Sequence, residues 1–341
     1  MVITNSPLKD QLQATGYVVA KGILSENLDL EPVRKEYKNV LNQLAKKWHA
    51  EQKIQSTYEA LPISKQLVKI LSDYPDAPYY EDLDITLPKT SHQTKKPDQI
   101  QDKTRMHTGP AIFNLLTSPR LLDVVEEFIG PEIYSNPVQH VRIKPPINAL
   151  PKHVKEHTRG SGLVTGTQWH QDQGVVLSEA DNTEMLTVWI PITKATTENG
   201  CLVVANKSHT NGLSLHCMRS EKRPQWKGIE IPPEYIKENK IPLEMQPGDV
   251  LFMTKFTKHS SLENNTNDIR WSFDLRYQPI GQPTGRPYFP GFVARSRKNP
   301  ESELKDHKEW RKLWMDAKEK LANNFQWEHF NRWDPEDKRC A

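Results

Sequence analysis

The sequence predicts a mainly β core with helices flanking it, in one domain. Three observations carry that expectation. Short apolar runs separated by turn residues fill the middle of the chain, apolar residues at steps of three to four fill stretches near both ends, and no repeat or low-complexity tract is present. Short strands at such spacing build a sandwich or a barrel, whereas a period near 3.6 builds amphipathic helices.

In chain order, Ser6-Pro7 can cap a first helix that Gly16 ends, and Tyr17-Val18-Val19 reads as a short strand. Val33, Tyr37, Val40, Leu41, Leu44 and Trp48 share one face of a helix over 31–52, and a further helix lies near 64–71. Residues 85–104 are polar and Pro-bearing and read as a mobile surface loop. A helix is expected over 111–129, then a strand through Tyr134, Val138, Val141 and Ile143, ended by Pro145-Pro146. A basic loop covers 147–166. Strand-like runs follow at 168–172, 185–192, 201–205, 242–245, 249–254 and 270–278. Residues 281–300 read as coil, and 303–323 as a helix with Trp310 and Trp314 as core anchors. The expected organisation within the 1–341 domain is a mostly helical part (1–135), a β core (136–280), and a final coil and helix (281–341).

A chain of 341 residues can bury a large core. Its 46 Lys and Arg against 43 Asp and Glu give a net charge of only +3, with no long single-sign block. That balance gives no pull toward nucleic acid or a membrane surface. The polar first residues argue against a signal peptide, and no apolar run approaches the ~20 residues of a membrane-spanning helix. Cys201, Cys217 and Cys340 are odd in number and widely spaced. They read as free thiols of a reducing compartment, so a cytoplasmic location is expected. The oligomeric state is not legible.

The chemistry centres on Gln168-Trp169-His170-Gln171-Asp172. On a strand, residues i and i+2 face the same side, so His170 and Asp172 can converge on one metal ion. With 12 His and 18 Asp in the chain, chance alone gives ~0.6 His-x-Asp pairs, so the motif by itself is weak. His49-x-Glu51 and His307-x-Glu309 share the spacing, but on helices their side chains diverge. His259, after the strand-like run at 249–254, can supply the third ligand. Two histidines and one carboxylate leave three adjacent positions open on Fe(II), which suits a chelating co-substrate and O2. A keto-acid co-substrate needs a cation for its distal carboxylate. Arg270, eleven residues after His259, can return to the same pocket and grip a carboxylate in bidentate fashion. Ser272 faces the same way and can add a hydroxyl, and Arg276 is a rival or a supporting partner. His140, Arg105 and His107, with Arg276, are the polar residues expected to face substrate.

These residues bring the chain to a known family. It resembles the phytanoyl-CoA dioxygenase family of Fe(II)/2-oxoglutarate oxygenases through Trp169-His170-Gln171-Asp172, Thr187-Val188-Trp189-Ile190-Pro191, Glu198-Asn199-Gly200-Cys201-Leu202, Lys207-Ser208-His209, Pro247-Gly248-Asp249-Val250-Leu251-Phe252, His259 and Arg270. The order and spacing of these pieces cover about 110–280. The resemblance implies a double-stranded β-helix, or jelly roll, core. It also implies hydroxylation of an unactivated C–H bond coupled to conversion of 2-oxoglutarate to succinate and CO2. Carried over by position, His170, Asp172 and His259 match the iron ligands and Arg270 the 2-oxoglutarate clamp. Gln171, Trp189 and Ser261, with Thr187 beside them, match residues near the co-substrate. Strand alternation turns Gln171 away from the metal, however. The presence of Asp172 favours hydroxylation over halogenation.

For substrate, one reading is a coenzyme A thioester, with Lys152, Lys155, Arg159, Lys95 and Lys96 as a basic groove. The preferred reading is a small polar natural product. The stretch 276–286 would then fold over the mouth. Similar microbial chains act in secondary metabolism, one of them on a guanidine alkaloid that is a cylindrospermopsin precursor. A non-catalytic metal-binding jelly-roll module is the alternative from another class.

Overall fold

The computed structural model of the protein describes residues 7–87, 100, 104–152, 164–218, 228–324 and 331–340. The first third forms α1 (Pro7–Thr15), β1 (Tyr17–Ala20), α2 (Glu31–Ala50), α3 (Ile63–Asp73), α4 (Tyr79–Leu83), α5 (Pro110–Leu116) and α6 (Pro119–Ile129). Strands follow: β2 (Glu132–Ser135), β3 (His140–Lys144), β4 (Leu186–Pro191), β5 (Leu202–Ala205), β6 (Cys217–Met218), β7 (Ile229–Glu230), β8 (Lys240–Leu243), β9 (Val250–Thr254), β10 (His259–Ser261), β11 (Arg270–Pro279) and β12 (Phe292–Ser296). Helix α7 (His307–Asn323) comes last.

Two antiparallel sheets make the jelly roll. The larger runs β1-β9-β4-β11-β2-β12, with β3 also paired to β11, and the smaller runs β10-β5-β8. Strand β11 is the spine of the larger sheet. Its outward side chains Trp271, Phe273, Leu275 and Tyr277 are fully buried under the helical layer, where Tyr37 of α2 packs 4.9 Å from Trp271 and 5.8 Å from Phe273. Its inward side chains Arg270, Ser272, Asp274, Arg276 and Gln278 are buried too, although all are polar. A second apolar cluster, built on Trp189, Leu202, Val204, Leu251 and Met253, fills part of the space between the sheets. It leaves the polar stripe of β11 to face a cavity.

Local chemistry explains the departures from the expected elements. The helix expected over 111–129 is two helices. Pro119 opens the second, and Ser118 before it is held out of the α region (ψ 122°). The single strand expected from Tyr134 to Ile143 is likewise two, separated by Asn136-Pro137. The stretch 168–172 is not a strand: His170 makes one bridge with His259, and Asp172 opens a 3-10 turn. Strand β12 lies inside the stretch read as coil and pairs with β2. With β1 on one edge and β12 on the other, the sheet reaches beyond 136–280 in both directions. Gly16 (φ 87°) turns the chain from α1 into β1, where a Cβ would sit 2.6 Å from His209 Nδ1. Of the loop expected at 85–104, residues 88–99 and 101–103 lie outside the described residues, and Ile85, Leu87 and Ile100 beside them are buried.

The three cysteines are not all free. Cys217 and Cys340 form a disulfide, with Cα atoms 5.5 Å apart, and only Cys201 is a thiol. Spacing along the chain did not reveal that the fold brings 217 and 340 together. With that pair, the argument from thiols to a reducing compartment falls. Among the described residues no helix is long and apolar enough to cross a membrane.

Trp310 and Trp314 of α7 are buried as expected, and Trp314 packs 5.2 Å from Phe289. Trp314→Ala should lower stability by about 3–5 kcal/mol, read as a lower urea midpoint at unchanged slope. A loss under about 1 kcal/mol would show that this helix is not anchored by its tryptophans.

Candidate metal centre

The site begins with the bridge between His170 and His259, whose backbones exchange two N–H···O bonds of 2.9 Å. The bridge sets the two imidazoles 4.2 Å apart, centroid to centroid. Each ring holds its Nδ1 against a carbonyl: Gln168 O at 2.8 Å for His170 and Thr257 O at 3.0 Å for His259. A carbonyl only accepts, so each Nδ1 carries a proton and Nε2 is the ring atom left to bind a metal. The 3-10 turn after Gln171 then swings Asp172 into line, and the three ligand atoms all lie within 4.8 Å of one another. It is the only such group of three among the described residues. Convergence thus comes from a bridge followed by a turn, not from strand alternation.

The donors suit a divalent ion. Burial, then the neighbouring His259, pulls the His170 imidazole down to about 3, so it is neutral near pH 7. Burial would raise the Asp172 carboxyl. Arg276, by its charge and its hydrogen bond, outweighs it and holds that carboxyl below the usual carboxylate range. Arg276 Nη2 donates to Asp172 Oδ1 at 2.5 Å, and the Thr187 hydroxyl donates to Oδ2. Two imidazoles and one ionised carboxylate, each oriented by a backbone or side-chain partner, make a donor set that suits a borderline divalent metal such as Fe(II).

Beside these ligands, the register of the large sheet assembles a basic patch. Arg270 stands opposite Lys144 across β11 and β3, Ser272 opposite Arg142, and Asp274 opposite His140. A narrow cavity is lined by His170, His259, Trp189, Arg270, Arg142 and Asp274, among others. Arg270 is 1% exposed; it donates from Nε to Gly200 O (3.1 Å) and from Nη1 to Ser272 Oγ (2.5 Å), and lies over the Trp189 ring. Burial and then Arg142 push its guanidinium down to about 9, the mark of a buried cation short of an anion. Lys144, fully buried, is pushed well down by burial, Arg270 and Arg142. Its ammonium donates to the Ser261 and Thr167 hydroxyls. Asp274 lies between two guanidinium groups, 3.5 Å from Arg276 Nη2 and 3.9 Å from Arg142 Nη2.

The structure sorts the candidate residues. Arg270, Ser272, Ser261 and Trp189 sit together on the cavity side. Thr187 and Arg276 hold the Asp172 carboxylate, so the Arg276 guanidinium is engaged by that carboxylate and not turned toward a substrate as expected. Gln171 turns away, donating to Gly212 O (2.8 Å) and Phe256 O (2.7 Å) and accepting from Ser214 N (2.7 Å). Its amide is spent on backbone and is not at the co-substrate. Arg105 is paired with Glu81 and Asp82, both at 2.8 Å, and His107 with Glu36 at 2.7 Å. His140 is held by Asp84 at 3.2 Å. For these three, pairing with acidic residues of the N-terminal region takes the place of the expected substrate contact. The stretch 276–286 packs against the turn after Asp172, where Leu177 N donates to Gly285 O and Arg286 to Val175 O, and not over the mouth. Lys155, Arg159, Lys95 and Lys96 lie outside the described residues. Sequence reading missed Arg142, Lys144 and Asp274. The alternation in His140-Val141-Arg142-Ile143-Lys144 was the available signal: its polar face is the one that faces in.

With the geometry set out, comparison with known proteins is informative. A family model described as "Phytanoyl-CoA dioxygenase (PhyH)" matches residues 12–272. A 1-deoxypentalenic acid 11-beta-hydroxylase of Streptomyces arenae is 28% identical over 192 residues, 54% of this chain and 62% of that protein. The peroxisomal phytanoyl-CoA dioxygenase of Homo sapiens is 26% identical over 203 residues, 57% of this chain and 53% of that protein. The chain thus matches only about half to two thirds of the length of such relatives. In fold it is similar to the non-heme monooxygenase ThoJ, with a TM-score of 0.53 at 14% identity over 93% of this chain and 97% of that one.

The buried pair of Asp172 and Arg276 can be tested without any ligand. Arg276→Ala should cost about 3–5 kcal/mol at pH 7, measured by urea unfolding of metal-free protein. The carboxylate is ionised in the native fold at lower pH than in the unfolded chain, so its contribution is present above the ordinary range near 4 and fades as pH falls below it. The difference between wild type and variant should therefore shrink in acid. An equal loss at all pH values would show that Arg276 does not act through Asp172.

Proposed function

Because the chain belongs to the phytanoyl-CoA dioxygenase family, we propose that it is an Fe(II)/2-oxoglutarate-dependent dioxygenase that hydroxylates a small polar compound. One observation carries the reading: two members of the His170/Asp172/His259 cluster, the histidines, line the same cavity as Arg270, a buried guanidinium that has no ion pair among the described residues and bonds only Gly200 O and Ser272 Oγ. A binding module needs no such pairing of a metal triad with a carboxylate clamp.

Overall, one C–H of the substrate, O2 and 2-oxoglutarate become C–OH, succinate and CO2. Bound by His170, Asp172 and His259, Fe(II) would supply adjacent open positions and the redox chemistry. The protein's own residues do the rest. Arg270, with Ser272 fixing one arm of its guanidinium, grips the distal carboxylate of 2-oxoglutarate. Lys144, opposite Arg270 in the sheet, donates to Ser261 on the strand that carries His259 and to Thr167 ahead of His170, and so ties the clamp to both. Trp189 supplies a flat wall under Arg270. Arg276 and Thr187 keep Asp172 ionised and aimed, so that it binds metal as a carboxylate.

The polar lining supports a polar substrate. Beside the triad the cavity presents Arg142, together with Asp274, which Arg276 and Arg142 flank, and an aliphatic acyl chain would leave the Arg142 donors unmatched in a largely buried place. Within that class we carry forward a guanidine-containing alkaloid, for which Asp274 is the cavity-facing carboxylate. The acyl-CoA alternative is tested by protection: coenzyme A should not compete.

Anaerobic addition of Fe(II) and 2-oxoglutarate should give a weak visible charge-transfer band, and admitting O2 should release succinate. Absence of both would defeat the oxygenase reading. His259→Ala should abolish the band and the turnover. In Arg270→Ala the 2-oxoglutarate requirement should rise at least about tenfold, a loss of ~1.5–3 kcal/mol for a charged hydrogen bond, with iron binding retained. An unchanged requirement would remove Arg270 from the clamp.

A further inference from the structure

The turn that carries Asp172 is gripped from outside the jelly roll by a segment remote in sequence. Trp333 Nε1–H donates to Gly174 O at 2.6 Å. Arg332 Nη1 donates to Gln173 O at 3.3 Å and to Asp181 Oδ1 at 2.6 Å, while Gln173 Nε2 donates to that same oxygen at 2.8 Å. The Trp333 ring stacks on His216 at 5.0 Å and 26°. His216 in turn accepts the Gln171 N–H on Nε2 at 3.0 Å and gives its Nδ1 proton to Ser214 O at 2.9 Å. The contact is tight: a Cβ on Gly174 would lie 2.3 Å from His216 Nε2. The residue after His216 is Cys217, disulfide-bonded to Cys340, so both ends of this contact are covalently joined. Asn331 also reaches Met218, donating to its sulfur at 3.1 Å.

Every backbone group from 171 to 174 that these contacts engage belongs to the turn that aims Asp172. The turn has little regular structure to hold it: it is a four-residue 3-10 element after a single bridge. Without outside support, orienting the carboxylate would cost conformational entropy at each binding event. We propose that residues 331–340 form a strap that pre-orients the metal-binding turn. Trp333 is the positioning residue, and the Cys217–Cys340 disulfide is its anchor. The strap acts on the affinity for the metal and not on its identity, since it contributes no ligand. The inference rests on His170, Asp172 and His259 being the metal ligands.

The test uses the full chain and Co(II) as a visible probe, titrated anaerobically, followed by competition with Fe(II). Wild-type protein should bind Co(II); failure to do so would overturn the metal reading itself. Given wild-type binding, Trp333→Ala and Cys340→Ser should each weaken Co(II) by roughly 10-fold or more, the usual scale for loss of support around a metal ligand. Trp333→Phe keeps the stacking on His216 but loses the donor to Gly174, and should fall between the two. Trp314→Ala serves as the control: it lowers stability from a place remote from the turn and should leave Co(II) affinity within about twofold of wild type, well inside 1 kcal/mol. If Trp333→Ala is too unstable to purify, Trp333→Phe and Cys340→Ser decide. Affinities of the strap variants that equal wild type, or that fall only as much as in Trp314→Ala, would show the segment to be structural packing and overturn the proposal.

Discussion

The arrangement of the site depends on one buried ion pair, Asp172 with Arg276. Asp172 lies in a short turn and Arg276 104 residues later on the longest strand of the sheet, at 2.5 Å. Both are almost fully buried, at 1% and 2% exposure. A lone carboxylate at that depth would take up a proton and lose its value as a ligand. Arg276 keeps it charged, and Thr187 on the neighbouring strand takes its other oxygen. The pair therefore couples three things that are separate in sequence: the turn, the spine strand and the charge state of a ligand. In isolation such a pair gains little net stability, because two desolvated ions offset their own attraction. Here it sets a geometry.

The same strand explains why the interior of this jelly roll is not an apolar core throughout. Along β11 the alternation runs polar inward and aromatic or aliphatic outward, and both faces are buried. The outward face packs on α2 and its neighbours, which accounts for the helices that enclose one side of the larger sheet. The inward face carries Arg270, Ser272, Asp274 and Arg276 in file, beside Arg142 and Lys144 of β3. A file of charges can be kept in a protein interior only if something else is bound there, or if the charges are paired. Arg276 is paired, whereas Arg270 is short of an anion. The apolar cluster around Trp189 and Leu251 closes the remainder.

Much of this was legible in the sequence, for definite reasons. Helices α2 and α7 announce themselves by period, and the two histidines, Asp172 and Arg270 by residue type and order. The strand at 270–278 was legible as a strand, but its inversion was not, because alternation does not say which face is in. Arg276 was read toward substrate for the same reason. Arg105 and His107 looked free because their partners, Glu36, Glu81 and Asp82, lie on helices whose approach no local pattern encodes. Strand β12 was hidden among prolines and glycines, since its evidence is the partner strand β2. The disulfide was invisible because Cys217 and Cys340 are brought together only by the completed fold.

That disulfide also divides the molecule topologically. It closes a ring of chain between two residues 123 positions apart. His259, Arg270, Arg276 and Trp333 lie within the ring, while His170, Asp172 and Thr187 lie on the open chain before it. A crosslink enclosing so long a loop removes about 5 kcal/mol of freedom from the unfolded state in the chain-entropy picture. That restriction falls on one of the three residues of the triad, His259. On unfolding, one histidine and the clamp stay tethered in a closed loop, while the His-x-Asp arm is released as a free strand. A metal held by all three would tie the loop to the arm across that boundary, beside the Asp172–Arg276 pair.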